Sequence, residues 1–237
     1  MKNIIGQSRS AFNFRQMMDD GKILLINLSK GKIGEINSTL FGMICVAKLQ
    51  SSAMSRAQMP EESRRDFYLY VDEFQNFATE NFSQILSEAR KYHLNLNITN
   101  QYIAQLEEKI RDAVFGNIGT LISFRIGAQD AEYMEKEFIP IFNQEDLINV
   151  DKYHAYIKLL INGVASPAFG MMTVKNQIPA NPQMTNYIRN YSRIHYGKDA
   201  NLISESIDNR FYSDKKQETP TENEVANSSN TSEMPAE

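Results

Sequence analysis

The sequence predicts an α/β fold, a mainly parallel sheet flanked by helices with a C-terminal β-hairpin and a disordered tail, and three observations carry that prediction. Apolar runs of strand length alternate with stretches of helical periodicity four times between residues 22 and 138, a rhythm that implies right-handed crossovers and parallel pairing. Beyond Pro140, Tyr153 to Ile161 and Ala168 to Val174 flank Asn162-Gly163, a hairpin-turn pair. From Ser213 onward Ser, Thr, Glu, Asn and Pro predominate, a composition that cannot bury enough apolar surface to fold.

Each element follows from its residues. Lys22 to Leu28 is a nearly continuous apolar run after Asp20-Gly21, as expected of a strand buried on both faces. Ile36, Leu40, Met43, Ile44 and Ala47 then recur at helical spacing through a segment ending near Pro60. Phe67 to Val71 reads as the second strand, running into Asp72-Glu73, and Phe82, Ile85, Leu86 and Ala89 mark the next helix. Leu94 to Ile98 alternates as a third strand, after which Asn100-Gln101 opens a helical stretch toward Phe115. Thr120 to Ile126 supplies a fourth strand, Ala128 to Phe138 a helix, and residues 183 to 208 a loosely helical extension.

The chain has 237 residues, with 25 Lys and Arg against 29 Asp and Glu. Residues 213–237 hold six acids and two bases, so the rest of the chain sums to zero and a globally basic nucleic-acid binder is excluded. Cys45 is the single cysteine, which excludes an intrachain disulfide and a cysteine-built zinc or iron-sulfur site. The most apolar stretch, Leu40 to Leu49, contains Lys48 and falls far short of the ~20 residues that span a bilayer. With no signal peptide at Met1 to Gln7, the expected location is cytoplasmic.

The sharpest local signal is Phe67 to Glu73. Ligands of parallel sheets bind outside the carboxyl ends of the strands, where Asp72 and Glu73 are expected. In a nucleotide hydrolase the first acid supports magnesium and the second polarises the attacking water; in a purely structural reading the pair is an acidic first helical turn stabilised by the dipole. Arg90, in Glu88-Ala89-Arg90-Lys91-Tyr92, lies off the apolar stripe; it is suited to span phosphate oxygens, or to oppose the dipole of a last turn. Gln101, just past the third strand, is placed on the rim of Asp72-Glu73. Its amide offers both a donor and an acceptor for sensing a phosphate or orienting water, unless the segment simply caps a helix.

A phosphate-cradling GxxxxGK[ST] loop is missing. The nearest imitation, Ser29 to Gly34, has Ile26 where the first glycine belongs and Ile33 where the hydroxyl belongs, and reads as an ordinary turn. His93, His154 and His195 are too dispersed for a metalloenzyme motif, and Cys45 reads as a core residue.

Taken together, Phe67-Tyr-Leu-Tyr-Val-Asp-Glu-Phe-Gln-Asn-Phe77, Leu86-Ser-Glu-Ala-Arg-Lys-Tyr92 and Leu96-Asn-Ile-Thr-Asn-Gln-Tyr-Ile-Ala-Gln-Leu106 resemble the later half of the TraG/TraD-type coupling ATPases of type IV secretion and conjugation. These are relatives of the HerA/FtsK DNA pumps. The resemblance covers roughly residues 1–178 and implies a RecA-like P-loop NTPase domain. Such a domain assembles as a ring, expected to be a hexamer, and uses ATP and Mg2+ to move DNA or a protein attached to it. Its Walker B positions fall on Asp72 for the metal and Glu73 for water activation, its trans-acting arginine on Arg90, and its polar sensor on Gln101.

The family's Walker A loop lies far upstream of Walker B. The resemblance therefore implies a C-terminal portion of a longer ATPase that does not bind ATP productively alone, and that lies at the cytoplasmic face of the inner membrane when joined to an N-terminal anchor. Expected partners are a secretion channel or relaxase-type proteins. The implied organisation is the later half of the ATPase domain over 1–178, a helical extension over 179–212 and an acidic tail over 213–237. Two other functions fit the same residues: a non-catalytic module docking on a full-length ATPase ring, and a HerA-like DNA-processing helicase.

Overall fold

The computed structural model describes residues 2–217. Its elements run α1 (Lys2–Ile5), α2 (Phe14–Asp19), α3 (Lys30–Ile33), α4 (Glu35–Met54), β1 (Phe67–Val71), α5 (Glu80–Glu88), β2 (Leu94–Ile98) and α6 (Glu108–Asn117). They continue with β3 (Leu121–Ser123), α7 (Ala128–Phe138), α8 (Gln144–Ile148), β4 (His154–Lys158), β5 (Leu160–Ile161), β6 (Val164–Ala165), β7 (Phe169–Met172), α9 (Pro182–Tyr196) and α10 (Ala200–Gln217). The chain divides into two units, one from Phe12 to Ala180 and the other joining Met1–Ala11 to Asn181–Glu237. The α10 helix passes Ser213, where the tail was expected to begin; the remainder of that tail, 218–237, lies outside the described residues.

In the larger unit the α/β character is as the sequence predicts, with parallel pairing confined to β1 and β2. Those strands run in register from Phe67 opposite Leu94 to Val71 opposite Ile98. Phe67, Leu69 and Val71 turn toward the core while Tyr68 and Tyr70 face out, the period of two that a half-buried strand shows. Met18, Leu49, Ala53, Phe74, Phe82, Ile85, Ile110 and Val114 complete this core, with the Phe74 and Phe82 rings 4.6 Å apart. Gly42 lets α4 approach the loop after β1: a Cβ there falls 2.1 Å from the Phe77 ring, closer than any side chain tolerates.

The fourth predicted strand is present in a separate sheet with the strands that follow it. Its paired part, β3, is antiparallel to β4, which is antiparallel in turn to β7. The hairpin is present, with Asn162 and Gly163 at φ 51° and 80° between β5 and β6, as a two-residue turn of positive φ requires. A second core of Ala131, Met134, Phe138 and Leu147 lies under α7 and α8, joined by Tyr156 stacked at 3.8 Å on Phe142.

One predicted strand is absent. Lys22 to Leu28 pairs with nothing among the described residues and leaves Ile23 89% and Leu25 77% exposed. It is tethered at its ends, by the Lys22 amide to the Met17 carbonyl at 3.0 Å and by the Ser38 hydroxyl to the Leu28 carbonyl at 2.5 Å. The helical stretch expected from Asn100 also begins later, as a 3-10 turn at Ile103–Gln105 followed by α6.

Candidate functional site

The parallel register decides which side chains meet at the carboxyl ends of β1 and β2. Val71 opposite Ile98 puts the next residues, Asp72 and Thr99, side by side. The Thr99 hydroxyl donates to Asp72 Oδ1 at 2.6 Å, and the Glu73 amide donates to the same oxygen at 3.0 Å. Asp72 Oδ2 has no partner among the described residues, so one hard carboxylate oxygen on an exposed side chain is left facing water.

Glu73 then turns the chain. Its φ of 52° and ψ of 48° are left-handed, sparsely populated for a residue with a long side chain and costing of order 1–3 kcal/mol. Such a conformation persists where neighbours fix it. The Asn76 side-chain amide donates to the Glu73 carbonyl at 3.1 Å, and the Phe74 amide donates to the Thr99 carbonyl at 2.9 Å. The turn brings the Glu73 carboxylate between two amides: Gln101 Nε2 donates to Oε1, and Gln75 Nε2 donates to Oε2 at 2.6 Å. Asp130, buried at the start of α7, accepts from the Ala104 amide at 3.0 Å and so pins the turn that follows Gln101.

The structure therefore gathers Asp72, Glu73 and Gln101 and keeps Arg90 apart. Arg90 is exposed in the turn before β2, whereas the cluster lies past its end. The five residues of β2 separate them by about 16 Å at ~3.3 Å per residue. Arg125 is exposed beyond β3. Thr99 and Gln75 join this cluster through hydrogen bonds to Asp72 and Glu73 that the sequence alone did not indicate; the signal for Thr99 was its place one residue past a strand in parallel register with the acid pair. Lys30, in the turn that imitates a phosphate loop, donates to Asn76 Oδ1 at 3.1 Å and to Glu35 at 2.9 Å. That ion pair holds the Glu35 carboxyl below its ordinary range. Burial pushes the Cys45 thiol up, away from the thiolate that a nucleophile needs.

Chemically, a hydrogen-bonded carboxylate with one open oxygen beside a second carboxylate oriented by two amides suits a magnesium ion carried mainly by water and ligand phosphates. Among the described residues no group of three or more His, Cys, Asp or Glu is arranged to enclose a metal. No helix of the described residues is long and apolar enough to cross a membrane.

Residues 66–136 match the family model described as the TraM recognition site of TraD and TraG. Among solved structures the chain is similar to the bacterial conjugative coupling protein TrwB lacking its first 70 residues, in its unbound form, at 16% identity and a TM-score of 0.56. It is similar also to TrwB in complex with ADP and Mg2+, at 18% identity and a TM-score of 0.54, and in complex with a non-hydrolysable ATP analogue, at 17% and 0.54. Each alignment covers 73% of this chain and 45% of the TrwB chain, so the protein spans under half the length of the structures it matches. No curated protein sequence matches it.

Proposed function

We propose that the chain corresponds to a C-terminal portion of a TraG/TraD-type coupling ATPase, a reading supported by the match over 66–136 and by the fold, and that it supplies the magnesium-supporting and water-activating end of a RecA-like motor that drives DNA, or protein attached to DNA, toward a secretion channel. The observation that carries this reading is the pair of carboxylates at the carboxyl ends of parallel strands, Asp72 tied to Thr99 and Glu73 held by Gln101 and Gln75.

In this reading Asp72 would hold magnesium through its water shell, where the ion would neutralise charge on the phosphates of the nucleotide whose phosphoanhydride is cleaved. Glu73 accepts the proton of the attacking water, a role typically worth 10²–10⁴-fold in rate. Gln101, already bonded to Glu73, senses the terminal phosphate. Arg90, at the far end of β2 from the carboxylates, serves in this reading a neighbouring subunit's nucleotide rather than its own. The description of the matched family also makes a TraM-type protein a partner to test.

The test uses this chain assembled with a phosphate-loop-bearing half. DNA-stimulated ATP turnover is expected to fall at least about 100-fold in Glu73→Gln, with nucleotide affinity retained. Arg90→Ala is expected to be equally inactive, yet mixing it with Glu73→Gln subunits restores turnover, because one variant supplies the arginine and the other the glutamate. Undiminished turnover in Glu73→Gln rejects the assigned role. The exposed Ile23 and Leu25 favour a second reading, a module that docks on an ATPase ring without catalysis of its own. Copurification with such a ring, without nucleotide binding by this chain, supports it.

A further inference from the structure

The smaller unit has its own internal order. Lys2 pairs with Asp208 and donates to the Ser204 hydroxyl at 3.4 Å. Asn3 donates to the Ala200 carbonyl at 3.0 Å, and Arg210 donates to the Gly6 carbonyl. These bonds lay residues 7–9 along α10. Ile203, Ser206, Ile207 and Arg210 recur there at helical spacing and share one face; Ile207 is buried, 1% exposed.

Between that face and the residues before Phe12 lies a cleft of about 110 Å³, bordered by Arg9, Lys198 and Arg210 and by the hydroxyls of Ser8 and Ser206. No acid borders it. Arg9 and Lys198 have no carboxylate partner among the described residues. The enrichment is local to these segments: residues 2–11 and 181–211 carry six Lys and Arg against three acids, whereas Phe12 to Ala180 carries 17 against 20, and with the two bases and six acids of 212–237 the smaller unit as a whole carries eight against nine.

Arg9 and Lys198, like charges on one concave surface with no carboxylate partner, favour an anion between them. The cleft has room for several waters at ~10–15 Å³ each, and so for a tetrahedral anion. Guanidinium forks and an ammonium are the donors that a phosphate takes, and serine hydroxyls complete its oxygens. We propose that the cleft is a phosphate-binding site, taking either a backbone phosphate of a nucleic-acid strand or a free phosphate monoester. This site stands independently of the ATPase reading, because the chain itself is the reagent.

The experiment titrates the full chain with a labelled single-stranded oligonucleotide, by anisotropy at several salt concentrations, and with inorganic phosphate, by calorimetry. Arg9→Gln/Lys198→Gln is compared with a charge-matched control, Arg189→Gln/Arg193→Gln on α9, and circular dichroism melts verify that both fold. If the source is a nucleic-acid strand, the cleft variant binds the oligonucleotide at least about tenfold more weakly and its salt slope falls by about 1.4, two contacts at ~0.7 each, while the control changes less. If the source is a free phosphate, inorganic phosphate binds the wild-type chain and the cleft variant loses it, with the oligonucleotide unaffected. Equal losses in the two double variants, or binding of neither probe by the wild-type chain, overturn the proposal.

Discussion

Lys22–Leu28 and Phe67–Val71 are two apolar runs of similar length and character, and only the second is a strand. Phe67–Val71 has a neighbour, β2, that takes its hydrogen bonds in parallel register, and helices that cover Leu69 and Val71. Lys22–Leu28 is anchored at both ends but, among the described residues, no backbone bond engages the amides of Ile23 to Leu28. Apolar composition therefore makes a segment eligible for a sheet, and the partner decides whether it joins one. The unpaired run is the kind of edge that templates pairing with another chain.

The comparison is broken most severely at Arg56. This guanidinium is fully buried; Nε donates to Asp19 Oδ1 at 3.0 Å, and Nη1 donates to the carbonyls of Arg65 at 2.8 Å and Tyr92 at 3.0 Å. It thus joins α2 and the end of α4 to the residues entering β1 and β2. Arg56→Met leaves one carboxylate and two carbonyls short of a donor, and is expected to destabilise the larger unit by about 3–5 kcal/mol, read as a lowered urea midpoint. A loss under about 1 kcal/mol means that the β1–β2 pair holds without this tie.

Hydrogen exchange sharpens the contrast without mutation. Amides of β1 and β2 bonded across the pair are expected to exchange on the order of 10³-fold or more slowly than those of Ile23 to Leu28, because their opening approaches global unfolding at ~5–15 kcal/mol. Equal rates mean that the two runs do not differ in solution.

The same contrast explains what the sequence disclosed. Phe67–Glu73 and Leu94–Gln101 were legible as strands with a shared polar rim, because period-two alternation and parallel order suffice to place Asp72, Glu73 and Gln101 together. Sheet membership is not written in periodicity, so the separation of β3, β4 and β7 from the β1–β2 pair was not legible. Nor were Thr99 and Gln75: the first needs the register of Val71 opposite Ile98, and the second needs the left-handed turn at Glu73 that folds the loop back on its own carboxylate. Arg90 was legible as a residue off the apolar stripe, while its separation from the carboxylates emerged only once the ends of β2 were fixed.

The smallest effect on the isolated chain is expected from Leu25→Ser. Leu25 is 77% exposed, so removing its side chain changes stability by no more than about 0.5 kcal/mol, and exchange at β1 stays as it was. The substitution acts where the run gains a neighbour. On a docked sheet edge the serine places a hydroxyl where an apolar contact forms, so assembly with a phosphate-loop-bearing half is expected to weaken about tenfold or more, the ~1.5–3 kcal/mol that a buried leucine contributes, measured by copurification yield across a concentration series. A variant that loses assembly while keeping its unfolding midpoint identifies the run as an interface strand. Loss of both assigns Leu25 to the core of the isolated chain, and loss of neither returns Lys22–Leu28 to an ordinary exposed connection between α2 and α3.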